Sequence, residues 1–134
     1  MKFTLKDYQR DAVIQVLDNL ERARKKYHDD DRETSFTLAA TTGAGKTVMA
    51  AAAIEALFYG NDELDFELDP GAVVIWFSDD PNLNDQTRTR LWQASEKLTM
   101  DRLVTIEYPF SVPQLDAGKV YFLNTQKLTA TSRL

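Results

Sequence analysis

The sequence predicts an α/β chain with a mostly parallel sheet and helices on both faces. Three observations predict it. Short apolar runs alternate with segments of helical period, which is the pattern of strand–helix–strand units. The runs are continuous rather than alternating, as in strands covered on both faces ("AVVIWF", residues 72–77). A glycine loop, "TTGAGKT", stands between the first run and a helix of strong formers.

The first helix is expected from Asp7 to about Tyr27, where Val13, Val16, Leu17, Leu20 and Tyr27 recur at three- and four-residue spacing. A charged loop follows, "HDDDRE", in which His28 reads as an exposed residue. Residues 34–40, "TSFTLAA", form a β-branched and aromatic run that reads as a strand. After the glycine loop, "KTVMAAAAIEALFYG" reads as a helix ended by Gly60. The acidic stretch "NDELDFELDPG" reads as a solvated loop, and 72–77 as the second strand. The chain turns at Pro81 and resumes a helical pattern through Leu83, Leu91, Trp92 and Leu98. Residues 103–108 and 119–124 complete the strands. Trp76 and Trp92 read as core. Four strands make a small sheet, so the pattern reads as one domain, residues 1–134, incomplete at its C-terminus.

Composition narrows the class. With 134 residues, 43% hydrophobic, the chain can build one core. No apolar window reaches bilayer length, no signal-peptide core opens the chain, and there are no cysteines. A cytoplasmic protein without membrane contact is expected. The net charge of −5 excludes coating of nucleic acid by bulk electrostatics, while leaving room for local phosphate contacts at the basic "TRTR" of residues 87–90.

The loop carries the chemistry. Gly43 and Gly45 allow backbone N–H groups, with those of Thr42 and Ala44, to turn inward around an anion. The helix opening at Lys46 aims its positive end at the same point. Lys46 adds an ammonium for the outer phosphates, and Thr47 a hydroxyl for Mg²⁺. This is a phosphate-binding loop, with Ala40 in place of the usual first glycine.

"ATTGAGKT" resembles motif I of superfamily 2 helicases and translocases. "LKDYQRDAV" resembles the segment that precedes the loop in that group, "WFSDDPNLNDQTRTRL" its motif Ia, and "VYFLNTQKL" the strand before its second nucleotide motif. The four segments stand in the order seen in type III restriction subunits and DEAD/DEAH-like helicases. The resemblance implies a RecA-like P-loop lobe that binds ATP and Mg²⁺ and moves on nucleic acid, DNA in preference to RNA, together with the remainder of a motor protein. It implies that Gln9 reads adenine, beside Tyr8 and Arg10, and that Ser78, Asn82, Gln86, Arg88, Thr125 and Gln126 lie along a nucleic-acid strand. The Asp-Glu pair that holds Mg²⁺ and orients water is not found in the chain, so little hydrolysis by this stretch alone is expected. Two alternatives stay open. Asp79 or Asp80, ending an apolar strand, could serve a complete P-loop kinase, or the loop could serve a nucleotide-binding module without catalysis.

Overall fold

The computed structural model describes residues 1–2, 4–33, 45–78, 81–106 and 115–124. The expected strand at 34–40 lies outside the described residues, as do Thr42, Gly43, Ala44, Asp79, Asp80, Thr125 and Gln126.

Helix α1 spans Asp7–Asp30 and buries Gln9, Val13 and Leu17 on one stripe. It continues three residues past Tyr27, which is 51% exposed rather than part of that stripe. Asp31 ends it in the left-handed region, φ 55°, and its N–H closes on Lys26 and Tyr27 carbonyls. Helix α2, Lys46–Tyr59, runs up to Gly60, whose N–H donates to Ala56 O at 2.7 Å. Alanines let α2 pack closely on two sides. Met49, Ala52 and Ala56 meet Val13 and Leu17 of α1, while Ala51, Ile54 and Phe58 face the sheet.

The sheet holds β1 (Val74–Ser78), β2 (Leu103–Thr105) and β3 (Val120–Asn124), all parallel, in the order β1-β3-β2. Phe122 of the central strand pairs with both Trp76 and Thr105. Because successive side chains alternate between faces, Val120 and Phe122 join Leu91, Ala94 and Leu98 under α2, and Tyr121 and Leu123 join Ile106 on the opposite face. Trp76 stacks at a tilt on Phe122, ring centres 6.3 Å apart, so its reading as core holds.

Helix α3, Pro81–Ala94, is shorter than its apolar pattern suggests. Leu98 is buried but not helical, because Ser95 Oγ accepts from the Lys97 and Leu98 N–H groups and folds the chain into a turn. Trp92 is 41% exposed, which corrects its reading as core; Lys2 Nζ lies 5.5 Å above its ring. The acidic stretch also departs from a plain solvated loop. Asn61 and Phe66 form a β-bridge, Phe66 enters the core beside α1, and Asp69 pairs with Arg24 at 3.4 Å.

Candidate nucleotide and nucleic-acid site

The strands of a parallel sheet share a direction, so the sheet has two unlike edges. At the edge where the strands begin, Gly118 N–H donates to Ala72 O (2.7 Å) and Asp69 N–H to Leu57 O (2.8 Å). Arg102 donates from Nη1 to Gly118 O (2.9 Å) and covers the Tyr59 ring at 5.4 Å. The C-terminus of α2 therefore sits at this edge. Its N-terminus is roughly 20 Å away at 1.5 Å per residue, at the edge where the strands end. Helix α3 starts there too, since it follows β1. Ligands of open α/β sheets bind at that edge.

Gly45 occupies the left-handed region, φ 76°, immediately before α2. A Cβ at this position would collide with Nε2 of Gln9. Glycine is thus required twice, by the backbone and by the amide pressed against it. Gln9 is 7% exposed, and its Oε1 accepts from Lys6 N–H at 2.9 Å, which closes the start of α1. The structure brings Gln9 to the end of the glycine loop from 36 residues upstream.

The start of α2 has a glycine as its N-cap, a permitted choice that supplies no capping oxygen. A helix start more often carries a capping oxygen and an acid in its first turn. Here Gly45 makes no side-chain cap bond, the first turn has no acid, and the first helical residue is the cation Lys46. Placing a positive charge on a positive dipole end costs about 0.3–1 kcal/mol unless an anion sits between them. Lys46 is exposed and Thr47 half-buried. A phosphate would satisfy the amides, the dipole and the ammonium together. The hard oxygen of Thr47 suits Mg²⁺, which takes few protein ligands when phosphates supply the rest. No group of three or more His, Cys, Asp or Glu side chains that could hold a metal occurs among the described residues.

On α3, Asn82 and Gln86 are exposed one turn apart, so the helix presents both on its outer face. Arg88 turns elsewhere. Its Nε donates to Leu103 O at 2.7 Å, tying α3 to β2. Arg90, which the sequence marked only as part of a basic cluster, is exposed one turn beyond Gln86. The four-residue spacing of Asn82, Gln86 and Arg90 was the signal that could have singled it out. The backbone of Ser78 ends β1 beside Asn124.

A second polar cluster went unnoticed in the sequence. Glu55 of α2, 5% exposed, accepts from Ser95 Oγ, from the Met1 ammonium (3.0 Å) and from Glu96 N–H (3.3 Å). Burial alone would raise its pKa, but the Ser95 hydroxyl, the ammonium and the Glu96 amide outweigh it and hold the carboxyl below the ordinary value. Nothing in the helical pattern marks this acid, because its partners are distant in sequence. A cleft of about 990 Å³ opens beside it, lined among others by Leu5, Arg10, Tyr59, Asp62, Glu63 and Glu67. Neither Lys46 nor Thr47 lines that cleft, and its acids would repel a triphosphate.

Parallel strands, a glycine before the helix and Lys-Thr at its start define a P-loop lobe. The chain matches the family model of the type III restriction enzyme res subunit over residues 2–133 and belongs to that family. No curated protein and no solved structure matches it. Among the described residues, no helix is long and apolar enough to cross a membrane.

Proposed function

We propose that residues 1–134 are the N-terminal part of one RecA-like motor lobe, which binds ATP·Mg²⁺ at the start of α2 and a DNA strand along α3. The observation that carries this reading is the acid-free start of α2 at Gly45, which supplies no capping oxygen, with Lys46 as its first residue. Amides from Gly43 to Thr47 cradle the phosphates, Lys46 neutralises charge on the outer two, and Thr47 ligates Mg²⁺. Gln9 meets the adenine edge through its amide, which offers one donor and one acceptor. Ser78, Asn82, Gln86, Thr125 and Gln126 hold the backbone of the strand without reading its sequence. Arg88 contributes through α3's attachment to β2. Within a cytoplasmic restriction subunit the remainder of the protein would supply the water-orienting acid and the second lobe, so this stretch alone turns over little ATP.

Titration calorimetry with ATP and Mg²⁺ tests the reading. Wild type binds, and Lys46→Ala weakens binding at least about 100-fold, the loss of a strong charge-assisted contact of about 3 kcal/mol. Equal heats from both proteins would refute it. Robust turnover abolished by Asp79→Ala would instead establish the kinase-like alternative.

A further inference from the structure

Asn84 lies in the first turns of α3, is 4% exposed, and donates from Nδ2 to the carbonyl of Leu123 in the central strand at 3.0 Å. Its Oδ1 is buried with no hydrogen-bond partner among the described residues. A buried acceptor left unpaired costs stability, and native folds contain few. Asn84 stands two residues from Asn82 and two from Gln86, on the opposite side of the helix at 100° per residue. That bond reaches β3 a single residue before Asn124, where the strand ends. The amide thus fixes how far the outer face of α3 stands beyond the end of the central strand.

We propose that Asn84 is a positioning residue for nucleic-acid binding: its amide sets the register of α3 on β3, and so places Gln86 against the strand. The proposal rests on the DNA-binding reading above. Asn84→Leu takes a donor from Leu123 O but also removes the unpaired acceptor, so the loss of stability is partly offset, while alignment is lost.

The experiment measures the affinity of the chain for a fluorescein-labelled oligothymidylate by anisotropy, alongside the melting temperature. Asn84→Leu should weaken binding about tenfold and move Tm by less than about 3 °C. In wild type Gln86→Ala should weaken binding several-fold; added to Asn84→Leu it should do nothing more, because a misplaced Gln86 has no contact to lose. Asn84→Ala, which cannot overfill the site, should behave like the leucine variant. Additive effects, or variants that melt early yet bind normally when folded, would overturn the proposal. Failure of both variants to fold would assign Asn84 to stability and overturn it too. A wild type without affinity for the oligonucleotide would refute the DNA-binding reading itself, and is seen before any variant is made.

Discussion

The two edges of the sheet treat their polar groups in opposite ways. Where the strands begin, Glu55 gathers a hydroxyl, an ammonium and an amide, while Arg102 is held between Gly118 O and the Tyr59 ring. Where the strands end, Lys46, Gln86 and Arg90 are exposed, α2 starts at a glycine that supplies no capping oxygen, and the Asn84 carbonyl has no partner among the described residues. The first edge spends its polar chemistry on the fold. The second leaves Lys46, Gln86 and Arg90 at the surface, within reach of a ligand. Burial alone would not have separated them, because Glu55 and Asn84 are equally inaccessible.

The largest stability effect should fall at the closed edge. Glu55→Ala takes an acceptor from the Ser95 hydroxyl, the Met1 ammonium and the Glu96 amide and should cost about 3 kcal/mol, or roughly 10 °C in melting temperature, with Mg·ATP affinity at the other edge unchanged. The same carboxylate predicts a pH dependence. Its folded pKa lies below the unfolded one, so its contribution is full above the unfolded value, near 4.3, and is lost as pH falls through the folded value. Glu55→Gln should flatten the acid limb of a stability–pH profile; an unchanged limb would remove Glu55 from the account.

A smaller, mixed effect is expected at Gly45. Gly45→Ala forces a left-handed alanine, at about 1–2 kcal/mol, and displaces Gln9 as well. Circular dichroism melts should fall by roughly 5 °C. Discrimination between ATP and GTP should narrow in calorimetry, whereas retained discrimination would separate Gln9 from the base.

The smallest effects sharpen the contrast within one helix. Arg88→Ala should lower stability by about 1 kcal/mol through its lost bond to Leu103 O, leaving the salt dependence of oligonucleotide binding unchanged. Arg90→Ala should leave the melt unchanged and reduce the log–log salt slope by about 0.7. The opposite assignment of slopes would return Arg88 to the strand path.

The sequence made legible whatever depends on neighbours along the chain. Helix α1 follows from the spacing of Val13, Val16 and Leu17, α2 from its helix formers and Gly60, and β1 and β3 from unbroken apolar runs. Lys46 and Thr47 were legible because the loop, lysine and threonine are contiguous. What escaped depends on contacts across the chain. Arg88 and Arg90 are two residues apart in one basic cluster, and only a carbonyl from β2 distinguishes them. Trp92 read as core by hydropathy, yet the helix turns it outward beneath Lys2. Glu55 and Asn84 meet partners about 40 residues away, beyond the reach of any local pattern.

The central claim, an open edge for ligand and a closed edge for structure, is tested most directly by hydrogen–deuterium exchange with and without Mg·ATP. Slowed exchange in the first turn of α2, at Lys46 to Met49, with no change around Glu55, Arg102 and Gly118, is the predicted result. Protection centred on the acidic cleft by Tyr59 and Glu63, or none anywhere at saturating nucleotide, would contradict it.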